Sequence, residues 1–310
     1  MNVKHNEYAL PSATGLADIY VQSLSPENAA DIIGIIQIIH GMAEYSDRYL
    51  DVANYLCQKG FAVIIHDHAG HGKSIKSKDD LGFFCEENGF KKIVEDANQV
   101  TKLAKQQFPD KKLILWGHSM GSFVTRSYIS KYAADIDAAI ICGTSGKNPA
   151  TDIGIMLAKT IAKIKGARYR SKFIDSMAFG AYNKKFDGNT GFEWLSKNED
   201  NINKYVADDK CGYLFSVSAF ADLFSLLKEV STNECFEKTP KSLPVYLIAG
   251  DMDPVGNYGK GVKEVYERYK NTSHNVQIKL YPTLRHEIHN EHEREEVYSD
   301  IADFAINICK

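Results

Sequence analysis

The sequence predicts an α/β protein in which a mostly parallel, doubly wound sheet carries a helical insertion. Short runs rich in Ile, Val and Leu alternate with longer segments whose apolar residues recur at helical spacing. Strands that alternate with helices are typical of a parallel sheet covered on both faces. The alternation stops between residues 145 and 237, where the sequence is aromatic-rich and helical in pattern.

Six short apolar runs are predicted to be buried strands, because each is bounded by polar or glycine-containing segments. They cover residues 34–40, 61–66, 112–116, 138–142, 245–249 and 276–281, and residues 17–21 are a candidate for an additional edge strand. Helices are predicted between and after them, at residues 49–58, 89–107, 122–132, 259–269 and 295–308.

The insertion divides the chain into two predicted units. Residues 1–144 and 238–310 form the α/β core, and residues 145–237 form a helical cap. Parallel α/β sheets bind ligands at the carboxyl ends of their strands, so we expect the cap to cover that edge.

The overall composition excludes several classes of protein. There are 37 basic and 40 acidic residues, a balance that argues against nucleic acid as a partner. The six cysteines contain no C-x-x-C pair, so we expect neither a zinc ribbon nor a disulfide framework, and hence a reducing compartment. Without a visible signal peptide or an apolar run of about 18 residues, the predicted location is cytoplasmic.

The segment Gly117-His118-Ser119-Met120-Gly121 is the strongest functional signal. It follows a predicted strand directly and precedes a helical pattern, which is the context of a nucleophile elbow in an α/β-hydrolase. The turn lifts a serine hydroxyl above the sheet and places the next N–H at a helix N-terminus, where it stabilises an oxyanion. We therefore predict Ser119 as nucleophile and the Met120 N–H as an oxyanion donor, with no cofactor required.

A serine nucleophile needs a general base, and the base needs an orienting carboxylate. Asp251 and Asp253 both follow the strand at 245–249, and the sequence alone leaves both open. Asp253 is favoured because Pro254 follows it in a turn, which leaves Asp251 to brace that turn. His286 follows the strand at 276–281 and is the predicted base. His289 and His292 are expected to lie solvated on the last helix.

The loop after the strand at residues 34–40 begins His40-Gly41-Met42. In this fold that loop supplies the second oxyanion donor, so the Met42 N–H is predicted to pair with that of Met120.

A metal-dependent hydrolase is a less favoured alternative. His66, His68 and His71 are closely spaced, but a dinuclear zinc motif needs an Asp before the last histidine, where this sequence has Gly70. Residues 286–289 are one residue short of the H-E-x-x-H motif. We therefore predict no metal site.

Five segments together resemble the monoacylglycerol lipase and lysophospholipase branch of the α/β-hydrolases. They are HGMAEYSDRY, DHAGHGKS, GHSMG, GDMDPVG and RHEIHNE, and the resemblance extends from residue 34 to the C-terminus. It implies a catalytic triad, an oxyanion hole at Met42 and Met120, and single-chain lipid esters as substrates. The triad residues that it implies are Ser119, Asp253 and His286.

The cap sequence bears on substrate and partners. Ile153, Leu157, Ile161 and Ile164 fall at helical spacing among several lysines, a pattern that favours a cap helix packed apolar side down and that is also compatible with transient contact with a membrane surface. A short-chain carboxylesterase, and a binding module without catalysis, are the alternative functions. The oligomeric state does not follow from the sequence.

Overall fold

An eight-stranded sheet forms the centre of the computed structural model, which describes residues 2–310. The strands are β1 (Val3–Pro11), β2 (Asp18–Pro26), β3 (Gly34–Ile39), β4 (Phe61–His66), β5 (Leu113–His118), β6 (Ala138–Cys142), β7 (Val245–Gly250) and β8 (Val276–Tyr281). Their order is β1-β2-β4-β3-β5-β6-β7-β8. The β1–β2 and β2–β4 pairs are antiparallel and the remaining pairs are parallel.

Helices separate and follow the parallel strands. They are α1 (Leu50–Gln58), α2 (Gly89–Gln107), α3 (Met120–Ile129), α4 (Thr151–Lys165), α5 (Lys172–Phe179), α6 (Glu199–Ala207), α7 (Val217–Val230), α8 (Asn233–Lys238), α9 (Lys260–Asn271) and α10 (Arg294–Cys309).

Two hydrophobic cores lie on opposite faces of the sheet. Helices α2, α3, α7 and α9 contribute to one core, and α1 and α10 contribute to the other. Strands β3 to β7 are buried along their whole length, which explains why they appear in the sequence as continuous apolar runs. The predicted α/β-hydrolase fold is confirmed, and the predicted core strands and helices occur with ends shifted by at most three residues.

The first two strands differ from the prediction. The segment expected as an edge strand at residues 17–21 is β2, which extends to Pro26 and lies inside the sheet between β1 and β4. The edge is formed by β1, which the sequence analysis did not identify. Because β1 is rich in polar residues and lies half exposed at the edge, it lacks the apolar run that marks the other strands.

The chain between β6 and β7 contains helices α4 to α8 and, apart from one isolated bridge between Arg170 and Ser216, no β pairing among the described residues. Within residues 2–310, no helix combines the length and apolar character needed to cross a membrane. The six cysteines are free, and five of them are buried.

Candidate active site

Ser119 occupies the turn between β5 and α3 in a conformation that non-glycine residues rarely adopt. Its backbone angles are φ 54° and ψ −121°, in the positive-φ region that costs of order 1–3 kcal/mol for a residue with a side chain. The Ser119 N–H donates to the Cys142 carbonyl at 2.9 Å, which ties the turn to the neighbouring strand β6. This geometry is that of the predicted elbow.

The two glycines of the G-x-S-x-G segment are required by close backbone approach. A Cβ atom at Gly117 would lie 2.1 Å from the Gly121 carbonyl oxygen. A Cβ atom at Gly121 would lie 2.1 Å from the Ile39 carbonyl oxygen, at the end of β3. Both distances are far below van der Waals contact, so any larger residue would push α3 away from the sheet.

His286 and Asp253 meet at the carboxyl ends of β7 and β8. The His286 Nδ1 atom lies 2.9 Å from Asp253 Oδ2, and both side chains are almost completely buried. The other carboxylate oxygen of Asp253 accepts a hydrogen bond from the Val255 N–H at 2.8 Å. Asp251 instead accepts the Thr283 N–H at 2.7 Å, so it braces the two loops rather than contacting the imidazole.

The surroundings of His286 favour its protonated form. Burial alone lowers the pKa of an imidazole, but the adjacent Asp253 carboxylate outweighs burial and raises the pKa of His286 above its ordinary value. The backbone of the loop that carries His286 is held by the chain between β6 and β7, because the Glu287 N–H donates to the Leu195 carbonyl at 2.7 Å. The Trp194 ring packs 5.1 Å from the His286 ring.

The backbone N–H groups of Met42 and Met120 are the two predicted oxyanion donors. Both residues line the same cavity as Ser119 and His286. Neither N–H has a hydrogen-bond acceptor among residues 2–310. Met120 is the first residue of α3, where the helix leaves its N–H groups unsatisfied and favours negative charge.

The cavity has a volume of about 480 Å³, within the range of pockets that hold small organic ligands. Residues of α4, α5 and α7 line most of its apolar wall, together with aromatic residues from 182 to 213. The ionisable carboxylates in the wall are those of Glu44, Asp175 and Glu287, and within the described residues the lining contains no Lys or Arg.

A buried ion network behind the cavity was not identified from the sequence. Arg48 donates two hydrogen bonds to Glu287, at 2.7 and 2.6 Å, and one to Glu44 at 2.8 Å. Glu44 also accepts the Gly41 N–H at 2.7 Å, and Asn201 of α6 donates to Glu287 at 2.8 Å. The network therefore connects the Met42 loop, the His286 loop and the insertion.

Arg48 contributes to lowering the pKa of both carboxylates. Burial alone would raise the pKa of Glu287, but the Arg48 guanidinium outweighs burial and lowers the pKa to about 2. The pKa of Glu44 is also lowered, because hydrogen bonding to His118 and the charge of Arg48 outweigh its burial. The sequence signal for this network was present, since the charged residues lie inside the segments HGMAEYSDRY and RHEIHNE.

The closely spaced histidines at positions 66, 68 and 71 pack as buried rings together with His40. Burial lowers the pKa of each of the four, which favours neutral imidazoles. Among residues 2–310, the one group with three donor atoms close enough to hold a metal is His118, Cys142 and His289, within 4.8 Å of one another.

The expectation that His289 is solvated is wrong. Its side chain is completely buried and stacks on the Tyr49 ring at 4.8 Å. The residue lies in a short 3₁₀ helix, Ile288–Asn290, which ends before α10 begins. His292 is exposed as expected, but it lies in the turn before α10, so the placement of both histidines on the last helix is wrong.

Comparison with known proteins places the chain in a family. The family described as "Serine aminopeptidase, S33" matches residues 30–293. A monoacylglycerol lipase of Mycolicibacterium smegmatis is 24% identical over 88% of this chain and 88% of its own length. The phospholipase YtpA of Bacillus subtilis is 24% identical over 86% of this chain and 92% of its own.

A solved structure of a thermostable carboxyl esterase from Bacillus coagulans, in complex with glycerol, superposes over 99% of both chains with a TM-score of 0.93 and 29% identity. The resemblance to the monoacylglycerol lipase and lysophospholipase branch is confirmed, as is the prediction of a hydrolytic enzyme. The chain therefore belongs to the serine aminopeptidase S33 family of α/β-hydrolases.

Proposed function

We propose that the protein hydrolyses carboxylic esters with Ser119 as nucleophile, His286 as general base and Asp253 as the orienting acid. The observation that carries this proposal is the 2.9 Å contact between His286 Nδ1 and Asp253 Oδ2. His286 lines the same cavity as Ser119, which lies in its strained turn. The contact leaves the Nε2 atom of His286 to accept the serine proton.

The proposed reaction has two acyl-transfer steps. Ser119 Oγ attacks the ester carbonyl while its proton moves to His286, and the N–H groups of Met42 and Met120 hold the oxyanion. The bond to the leaving alcohol then breaks, His286 returns the proton to the alcohol oxygen, and an acyl-enzyme remains. Water, deprotonated by the same imidazole, attacks the acyl carbon; the bond from that carbon to Ser119 Oγ then breaks, His286 returns the proton to Oγ, and the acid leaves.

Single-chain lipid esters are the proposed substrates. The relatives include proteins named monoacylglycerol lipase and phospholipase, and the largely apolar cavity suits an acyl chain. The charges in its wall favour a monoacylglycerol over a lysophospholipid. Glu44 and Glu287 already occupy Arg48, Asp175 has the same sign as a phosphate, and within the described residues the lining offers no Lys or Arg to pair with one, so burying that anion is unfavourable.

We also propose that residues 145–237 act as a cap that contacts anionic membranes. Ile153, Met156 and Ile164 on α4 are 60–75% exposed, although the sequence favoured a helix with its apolar side packed down. Phe173 and Met177 on α5 are also exposed, and α4 carries exposed lysines. Ile153 and Met177 line the cavity as well, so the exposed apolar surface borders the opening through which a lipid would enter.

A short-chain carboxylesterase is the second candidate function, because the Bacillus coagulans carboxyl esterase superposes on nearly the whole chain. Turnover of 1-monolauroylglycerol, 1-lauroyl-lysophosphatidylcholine and p-nitrophenyl butyrate separates the candidates, with Ser119→Ala as the background control. Fastest turnover of the monoacylglycerol is expected. A preference for butyrate would support the short-chain enzyme, and activity retained by the Ser119→Ala variant would overturn the assignment of the nucleophile.

A further inference from the structure

Gly154 stands in the interior of α4, where glycine is one of the least favourable residues. The structure gives a reason for its presence. A Cβ atom at this position would lie 2.9 to 3.0 Å from the ring of Phe224 on α7, closer than carbon atoms pack without strain. Gly154 therefore allows the Phe224 ring to lie directly against the backbone of α4.

The Phe224 ring is confined on another side. It stacks on Phe220, with ring centroids 6.0 Å apart and planes at 28°. Phe220 is completely buried and packs in turn against Phe179 and Phe215, so it has no room to yield. The open space beside Phe224 is the cavity, which Gly154 and Phe224 both line.

The pair belongs to the apolar wall that begins beside the nucleophile. Phe123 lies one turn along α3 from Ser119 and lines the cavity. Leu223 and Leu227 of α7, which are one helical turn apart on either side of Phe224 in the sequence, also line the cavity. On α4 the wall includes Gly154. An acyl chain attached to Ser119 would follow this wall.

We propose that Gly154 and Phe224 together set the length of the acyl chain that the cavity accepts. The proposal rests on the proposed ester hydrolysis and assigns its chain-length limit to one helix contact. A methyl group at position 154 would occupy cavity space itself or push the Phe224 ring into the cavity, and either result shortens the space. Removing the Phe224 ring would lengthen it.

The test is the turnover of p-nitrophenyl esters of two to sixteen carbons by wild type and by Gly154→Ala. The longest esters that wild type accepts should lose about 10-fold or more in kcat/KM relative to the butyrate ester, since one methylene group in an apolar pocket discriminates by ~10- to 200-fold. Thr160→Ala, on the exposed face of the same helix, is the matched control and should leave the profile unchanged.

Phe224→Ala should shift the preferred chain to greater length, and the double variant with Gly154→Ala should recover the long esters that Gly154→Ala loses. An equal loss at all chain lengths in folded Gly154→Ala, or a double variant no better than the single one, would overturn the proposal. Displacement of a fluorescent apolar probe by n-alkanols of eight to sixteen carbons measures the same limit without chemistry. If wild type hydrolyses no ester but Gly154→Ala fails to bind the longest alkanols that wild type binds, the proposed function alone is contradicted. If Gly154→Ala binds the same alkanols as wild type, this proposal is contradicted.

Discussion

Replacing Arg48 by methionine tests whether the buried ion network stabilises the site. Arg48 contacts both Glu44 and Glu287, and methionine keeps much of its length without the charge. The substitution would leave two carboxylates in a buried environment without their guanidinium partner. Removing one member of a buried ion pair is strongly destabilising, because the remaining charge is then uncompensated.

The expected loss follows from the pKa of Glu287. Burial would raise this pKa, but Arg48 lowers it from 4.5 to about 2, a difference that corresponds to about 3 kcal/mol. Loss of one partner from buried pairs in other proteins costs 3–5 kcal/mol, roughly the same size. We therefore expect the free energy of unfolding to fall by about 3 kcal/mol at pH 7.

The effect should depend on pH with a defined sign. A carboxyl group with a lowered pKa in the folded state stabilises the protein above its unfolded pKa, here 4.5, and that stabilisation is lost as the pH falls toward 2. In the variant the carboxyl groups are expected to bind protons more readily than in wild type. The difference in stability between the two proteins should therefore be largest at pH 7 and smaller at pH 4.

Urea unfolding followed by tryptophan fluorescence at both pH values measures this difference. Arg294→Met is the matched control, because Arg294 and Asp51 form a pair whose side chains are 40% and 71% exposed. Exposed pairs contribute about 0–1 kcal/mol, so this variant should be close to wild type. A loss below about 1 kcal/mol for Arg48→Met, or one that does not change between pH 7 and pH 4, would refute the reasoning.

Three further predictions concern the elbow, the acid and the cap. Gly121→Ala should cost about 1–3 kcal/mol in urea unfolding, because its Cβ would lie 2.1 Å from the Ile39 carbonyl oxygen; near-native stability would contradict this. Asp253→Asn should lower kcat by ~10⁴ and move the acidic limb of kcat/KM to lower pH, because the carboxylate that raises the pKa of His286 is gone. Asp251→Asn should keep most of the activity, and equal losses in the two variants would count against Asp253. Met156→Glu should weaken sedimentation with anionic vesicles while butyrate turnover stays unchanged; undiminished binding would remove α4 from the proposed membrane surface.

The central strands and the elbow were predictable because their physical causes are local. Strands β3 to β7 are buried on both faces, so almost every residue in them is apolar. Close backbone contacts require glycine at positions 117 and 121, so these contacts can be inferred from the sequence. The contact between His286 and Asp253 followed from the order of residues after consecutive strands.

Features that depend on long-range packing were not predictable from the pattern alone. His289 is polar, which is typical of a surface residue, but its side chain is buried and stacks on the Tyr49 ring. On α4, Leu157 and Ile161 pack inward while Ile153 and Ile164 face outward, although all four share apolar character and approximate spacing. Arg48 and its partner Glu287 are 239 residues apart in the sequence, a separation that no local window detects.

Labelling with a fluorophosphonate tests the central claim most directly, because this reagent reacts with an activated serine. Wild type, Ser119→Ala and Asp253→Asn would be treated, digested and mapped by mass spectrometry. The account predicts one modified residue, Ser119, in wild type, no labelling of Ser119→Ala, and much slower labelling of Asp253→Asn. Labelling of a different serine, or a Ser119→Ala variant labelled as fast as wild type, would contradict it.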